Sequence, residues 1–499
     1  DHCRHCSSDP SVPSPQERFQ LNDRLAPIQI AAIMSRIDHA CKVPLSNTDV
    51  SSDYDLLAIY NSDGYNEGTY TFDEDDFRRR ARAYSYTLTI REFDEIMAAL
   101  RDIAPRKNKC TDRNLVCVNN GVFDYESKKL YPHTPDLVFL TKSHVNYNPD
   151  AENPIIYNPD DDTYWDVESW MKELSDDPEI VQLLWEILGA IIRPNVSWDK
   201  SAWLYSETGN NGKGSLAELM RNLCGAGAYA SIPLADFSRD FMLEPLIRAS
   251  AIIVDENDVG TFIDKSANLK AVITNDVITI NRKFKHPINY QFFGFMVQCL
   301  NEFPRIKDRS DSVYRRQLFI PMEKTFTGKE RRYIKYDYLN RPEVLEYVLK
   351  RVLHSNYYEL SQPKVCTLIH EEYKQYNDPI REFYEELKEE FAWDLLPYTF
   401  LYDLYRAWVD KNVPQGYAVG RNRFIADIKR IASAEGSFHP NPGNHPVQAI
   451  GRIDAPEPLI LEYKLEDWMN KRYSGKDEKK LATPTVSDKR FRGLLRKDT

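Results

Sequence analysis

Long apolar runs are missing from this chain. The stretch Ala249 to Val254, interrupted by Ser250, is among the longest, far below the roughly 20 residues that cross a bilayer. No membrane partner is therefore expected. An excess of positive charge is missing too: 65 Lys and Arg stand against 76 Asp and Glu, a net charge of −11. Any nucleic-acid surface must then be local. Cysteine is sparse, with 8 residues scattered from Cys3 to Cys366, which excludes a disulfide scaffold and suits a reducing cytoplasm. Asp1 is not followed by a basic stretch and then an apolar one, so no secretory leader is expected. Internal repeats are absent, and residues 1–105 hold no persuasive polymerase carboxylate pair.

What is present reads as a globular protein of several domains. At 499 residues, with 42% hydrophobic and 28% charged content, two to four domains are expected. Cys3 and Cys6, with His2 and His5, leave a truncated zinc site open against a disordered end. The Ser/Pro-rich residues 7–17 read as linker. From Leu25 to Ile103 the pattern is mostly helical, with a small hairpin from Leu57–Tyr60 and Tyr70–Phe72. Asn120-Gly121 marks a second hairpin within Leu115 to Leu130. A helix is expected from Pro178 to Ile192, capped by Asp176 or Asp177.

The most informative segment runs from Ala202 to Ser215. A short apolar strand enters Thr208-Gly209-Asn210-Asn211-Gly212-Lys213-Gly214-Ser215, and a helix leaves with Leu216, Leu219, Met220 and Leu223 on one face. Strand, loop and helix in that order are what a phosphate-binding loop requires. Glycine and asparagine let the amides turn inward, the helix N-terminus adds positive charge, and Lys213 reaches the β- and γ-phosphates. The usual first glycine falls on Glu207, and Gly214 displaces the metal-binding hydroxyl to Ser215. Some nucleotide kinases share this Gly-Lys-Gly-Ser form.

Further along, Ala251-Ile252-Ile253-Val254 reads as a buried parallel strand ending in Asp255-Glu256. Asp255 would hold Mg²⁺ and Glu256 would polarise the attacking water. A third apolar strand, Phe292 to Leu300, ends on Asn301, suited to sensing a γ-phosphate. Arg315 and Arg316 precede Leu318-Phe319-Ile320. Either arginine would reach a neighbouring subunit's nucleotide as a finger, with a structural ion pair as the competing reading; Arg316 is the one carried forward.

This set, Gly-Asn-Asn-Gly-Lys-Gly-Ser, Val-Asp-Glu, Leu-Asn-Glu-Phe-Pro and Tyr-Arg-Arg between Gly209 and Arg316, resembles superfamily 3 helicases, and among them the phage/plasmid and poxvirus-type primase–helicase family. Asn120-Gly121-Val122-Phe123-Asp124 and the helix after Asp177-Pro178-Glu179 resemble that family's preceding domain. The resemblance implies an α/β fold: a P-loop, AAA+-like helicase core of parallel sheet flanked by helices, an α-rich N-terminal region and a C-terminal winged-helix-like domain. It implies ATP and Mg²⁺ as cofactors, with Ser215 and Asp255 at the metal. It implies single-stranded and forked DNA as partners, assembly as a homo-oligomer expected to be a hexamer, and a primase or polymerase domain or subunit alongside. Location would be the host cytoplasm or the site of viral replication.

The family's pore hairpin corresponds here to Val277 to Ile288, with Arg282, Lys283, Phe284 and Lys285 at a basic tip that suits phosphate contacts and stacking. Lys270, Asn275 and Asp276 resemble the motif before it, where the family usually has glycine at the position of Asn275. The expected divisions are a linker or truncated end (1–21), a mainly helical domain (22–105), a pre-helicase domain (106–195), the ATPase (196–362), a winged-helix-like domain (363–475) and a basic tail (476–499). In the winged-helix-like part, Leu401–Trp408 and Arg421–Ile428 read as helices and Pro458–Leu461 as a strand, with Arg421 and Arg423 as duplex contacts or packing residues. A P-loop nucleotide kinase and a DNA-binding replication initiator with a non-motor ATPase are the alternative functions.

Overall fold

The computed structural model describes residues 24–46, 54–283, 285–328, 330–412, 418–485 and 489–497, without the Lys285 side chain. The Cys3/Cys6 pair, residues 1–21 and Phe284 lie outside these. Two compact units divide between His370 and Glu371, and no described helix is long and apolar enough to cross a membrane.

The first unit opens with helices Pro27–Arg36, Glu74–Tyr84 and Ile90–Ile103 and an antiparallel sheet of Cys41–Val43, Leu56–Tyr60 and Tyr70–Thr71. Thr89 and Glu92 start the third helix by exchanging side-chain bonds with each other's main-chain amides, at 3.3 and 2.9 Å, satisfying donors the helix leaves open. Next, Leu115–Val118 and Gly121–Asp124 pair as a hairpin, to which Lys129–Tyr131 adds a third strand. Helix Pro178–Ile192 follows, its first turn capped by Asp177, whose carboxylate accepts from the Glu179 amide at 2.8 Å. Leu183 to Ile192 are buried without a break, so this is a helix of the core interior rather than a surface one.

At the centre is a five-stranded, all-parallel sheet. Its strands are β1 (Ser201–Tyr205), β2 (Tyr229–Ala230), β3 (Ala251–Val254), β6 (Phe295–Leu300) and β7 (Gln317–Pro321), in the spatial order β2-β3-β6-β1-β7. Every residue of β1, β3, β6 and β7 is buried, as expected for strands covered on both faces. Helix α1 (Lys213–Cys224) connects β1 outward to β2, packing Leu216, Leu219, Met220 and Leu223 into the same core as helix Pro178–Ile192. The chain thus runs from β1 to the edge, returns to β6 beside β1, and crosses to β7 on β1's other side. Such a reversal leaves a crevice at the carboxyl ends of the strands.

Between β3 and β6 stands a hairpin, β4 (Val277–Arg282) paired antiparallel with β5 (Lys285–Gln291). Ile278, Ile280, Ile288 and Tyr290 are buried on one face, while Val277, Thr279, Asn281 and Lys283 are exposed. Asn275 enters it at φ +55° and donates to the Phe292 carbonyl at 2.9 Å. Asparagine tolerates this left-handed conformation better than other side chains do.

The second unit contains α4 (Pro379–Leu387), β8 (Leu395–Pro397), α5 (Tyr398–Asn412), α6 (Arg421–Glu435), β9 (Phe438–Pro440) and β10 (Gly493–Arg496). The strands form an antiparallel sheet ordered β8-β10-β9, over a core that includes Phe383, Tyr405, Trp408 and Phe424. Two expectations are corrected here. Pro458–Leu461 is not a strand: Leu459–Glu462 is a short helix, with the Glu462 amide bonding to the Pro458 carbonyl at 3.2 Å. Nor is the basic segment before Lys497 a free tail, because Gly493 and Leu494 are buried in the middle strand of the sheet.

One buried carboxyl gives this unit a pH dependence. Glu457 is fully buried, and one of its oxygens accepts from the Ala392 amide at 2.9 Å. Burial pushes its pKa up to about 7 against the pull of the Ala392, Leu459 and Trp393 amides, and Glu390 adds to the rise. A carboxyl raised on folding stabilises fully below its unfolded pKa, and that stability is lost as pH climbs through the folded value. The unit should therefore weaken between about pH 4.5 and 7, by on the order of 1–3 kcal/mol. Calorimetry at pH 5 and pH 8 should show the drop, and Glu457→Gln should remove most of it; an equal drop in the variant would assign the effect to other groups.

Candidate functional site

The crevice at the carboxyl edge of the sheet collects most of the residues singled out from the sequence. The loop after β1 turns through Asn210 at φ +54° and Gly212 at φ +86°. A side chain at residue 212 would be strained by that φ and would also strike the Leu174 side chain at 2.6 Å. The Asn211 amide donates to the Thr208 carbonyl and holds the loop closed, while Thr208 Oγ1 lies 3.2 Å from Ser206 Oγ. Gly212 caps α1 without any side chain, so the first-turn amides are left to an outside acceptor.

Lys213 is 6% exposed, and its ammonium donates to the Ser206 carbonyl at 3.4 Å. Burial lowers its pKa, while Cys299 and Glu256 pull it back up; the Glu256 carboxylate thus lies within electrostatic reach. The acidic turn Asp255-Glu256 follows β3, the second strand from β1. Asn301 follows β6, the strand between them: Leu300 pairs with Tyr205, and its carbonyl accepts from the Ser206 amide at 3.1 Å. Lys213, Asp255, Glu256 and Asn301 therefore share one edge.

These residues fit a nucleoside triphosphate with its metal. A buried ammonium whose hydrogen bond among the described residues is to a main-chain carbonyl, beside uncapped helix amides, suits an anion. Asp255 is partly exposed beside Gly214, where a Cβ would lie 3.3 Å from its Oδ1, so a carboxylate borders the place a metal would occupy. Ser215, one residue on, is half-buried.

Arg316 is not brought to this edge. It immediately precedes β7, and its carbonyl accepts from the Ser201 amide at 2.8 Å, at the start of β1. The five residues of β1, at roughly 3.3 Å each, separate it from the loop. Its guanidinium bonds to Ser312, including Oγ at 2.8 Å. Arg315 beside it is exposed. Of the basic hairpin tip, Lys283 is exposed and Arg282 donates to the His286 carbonyl at 3.3 Å.

Several residues at the crevice escaped the sequence reading. Arg221, on α1, pairs with Asp255 at 3.6 Å and Glu218 at 3.2 Å. Asn257 is buried and donates to Gln298 at 2.9 Å and to the Cys299 carbonyl at 3.1 Å, tying the acidic turn to β6. Beyond β7, the Phe326 amide bonds to the Asn210 carbonyl at 2.8 Å, and Glu330 accepts from the Asn210 side chain at 2.9 Å. For Arg221 the only sequence signal was its position two turns after Lys213; for the others there was none.

Comparison with known proteins finds three matching segments. Residues 204–316 match a family of unknown function, DUF5906; residues 375–446 match a family described as Poxvirus D5 protein-like; and residues 72–189 match one described as D5 N terminal like. Over the latter two segments the chain is D5-like. Similar solved structures include the A form of the apo NrS-1 C-terminal region, 13% identical with a TM-score of 0.42, covering 95% of this chain and all of that one. Another apo structure of that region is 13% identical with a TM-score of 0.42, covering 85% of this chain and 97% of that one.

Proposed function

We propose that this chain is an ATP-dependent DNA helicase of the superfamily 3 type, the motor part of a primase–helicase that replicates a virus, phage or mobile element, working in the host cytoplasm or at the site of viral replication. The observation that carries the reading is the gathering of Lys213, Asp255, Glu256 and Asn301 on one edge of a parallel sheet. D5-like matches before and after that sheet in the sequence agree with it.

In this reading Lys213 and the first-turn amides of α1 bind the phosphates, and Asp255 with Ser215 would hold Mg²⁺, which neutralises charge on the transferring phosphoryl group. Glu256 orients and polarises water, and Asn301 senses the terminal phosphate. The order α4, β8, α5, α6, β9, β10, with β10 between the other two strands, supports the winged-helix reading of the second unit. The hairpin tip supplies charge to a DNA strand. The test is ATP hydrolysis with and without single-stranded DNA, with particle mass measured alongside. DNA stimulation by a ring-sized particle is expected; hydrolysis by a strict monomer that ignores DNA would sink the proposal.

The position of Arg316, at the opposite end of β1 from Lys213, favours a finger acting on the neighbouring subunit. Arg316→Ala and Lys213→Ala subunits, each inactive alone, should regain part of the activity when mixed, since some interfaces then pair an intact loop with an intact finger. Absence of any regain, with mixed particles confirmed by mass, would remove Arg316 from the role and pass it to Arg315.

A further inference from the structure

The phosphate edge of the crevice carries a second lysine. Helix α2 (Arg332–Tyr336) follows the segment fastened to Asn210 by Phe326 and Glu330, and it packs against α1. Lys335 projects from it to the first turn of α1. A Cβ placed on Gly214 would meet Lys335 Nζ at 3.4 Å and Asp255 Oδ1 at 3.3 Å. The ammonium thus stands over the residue that follows Lys213, across from the proposed metal carboxylate. Lys335, Lys213, Arg221 and Asp255 all act electrostatically on one thiol, that of Cys299, whose pKa burial chiefly raises.

Lys335 is half-buried and forms no ion pair among the described residues; the ring of its neighbour Tyr336, at 6.0 Å, is at the limit of a cation–π contact. A partly desolvated cation without a carboxylate partner, beside uncapped helix amides, is placed to meet an anion. We infer that Lys335 is a second phosphate-binding residue of the nucleotide site, supplied by the same chain, and that it contacts the triphosphate where Gly214 leaves room. This rests on the nucleotide reading above. It also explains the Gly-Lys-Gly-Ser form: a side chain at residue 214 would press on both Lys335 and Asp255.

The test uses the full chain with fluorescent ATP and ADP as probes, in Lys335→Ala, Lys335→Arg and Lys213→Ala. A charge-assisted bond of this kind corresponds to about a tenfold change in affinity. Lys335→Ala should lose about that much for ATP and less for ADP, which carries less negative charge. Lys335→Arg should restore much of it, and the thermal midpoint should stay put. Equal ATP and ADP losses, failure of arginine to rescue, or a lowered midpoint would make Lys335 a structural residue and overturn the inference. Normal ATP binding by Lys335→Ala would overturn it as well. If Lys213→Ala also binds ATP normally, the nucleotide reading itself fails; if only Lys213→Ala loses binding, that reading survives without Lys335.

Discussion

Lys213→Ala is expected to abolish tight ATP binding, and Glu256→Gln to keep binding while turnover falls by on the order of 10²–10⁴. The two effects separate because the two groups do different work. Lys213 supplies a positive charge where the phosphates would lie, from a site only 6% exposed. Alanine would remove the most deeply buried cation of this edge, leaving the phosphates to the helix amides and to the less buried Lys335. Glu256 is exposed and sits on the turn after β3, where its carboxylate is free of the core and available to water. Glutamine keeps the shape and can still hydrogen-bond, but it cannot take up the proton. Equilibrium binding and single-turnover hydrolysis would distinguish the two. Wild-type turnover in Glu256→Gln would reassign the base, and unchanged affinity in Lys213→Ala would remove the loop from the phosphate site.

The second large effect is expected at the hairpin. Lys283→Ala combined with Lys285→Ala should cut DNA unwinding sharply, and the ratio of ATP hydrolysis with DNA to that without it should fall toward one. The reason is charge placement in a chain of net charge −11. Repulsion of DNA by the surface at large would make a concentrated basic tip the decisive contact of the proposed motor. Lys283 is exposed at the turn between β4 and β5, and a ring would repeat it around a channel. Each lost phosphate contact on a single strand should also reduce the salt dependence of binding by about 0.7 in log–log slope. Neutralising Arg421 and Arg423, exposed in the first turn of α6, should cost less. Strand displacement on a forked substrate at two salt concentrations measures both; unwinding at the normal rate by the double variant would send the DNA path elsewhere in the chain.

The pieces of the crevice that are contiguous in sequence were legible from it. The loop from Thr208 to Ser215 needs strand, turn and helix in immediate succession, so residue types alone declare it. The run Ala251–Val254 followed by Asp255-Glu256 declares a buried strand and its acidic end in the same way. The hairpin was legible because its β-branched residues alternate on either side of a short basic turn. Weak elements were not: Cys41–Val43 is three residues long, too short for a period to show. Pro458–Leu461 is apolar over a length at which strand and helix look alike.

The second unit shows how charge can mislead. Lys489, Arg490, Arg492, Arg496 and Lys497 read as a solvated tail, yet Gly493 fits against the Leu396 carbonyl, where a Cβ would lie 2.1 Å away. Leu494 fills the core between two strands that lie far back in the chain. Lys489, Arg490, Arg492 and Lys497 remain exposed while the backbone completes a sheet, and Arg496 turns inward to Asp394 at 3.1 Å and to the Phe391 carbonyl at 2.6 Å.

The sequence by itself determined the local elements: a Gly/Asn-rich loop between a strand and a helix, an acidic turn on a buried strand, a basic hairpin. Only the tertiary structure decided which of these meet. The order β2-β3-β6-β1-β7 puts Asn301 beside the loop after β1, because β6 rather than β3 or β7's amino end is β1's neighbour there. The same parallel pairing sends Arg316 to the far end of β1 and brings Lys335 back over Gly214 from 121 residues downstream. Strand order and parallel direction are set by burying apolar faces between residues distant in sequence, a condition that no local pattern records.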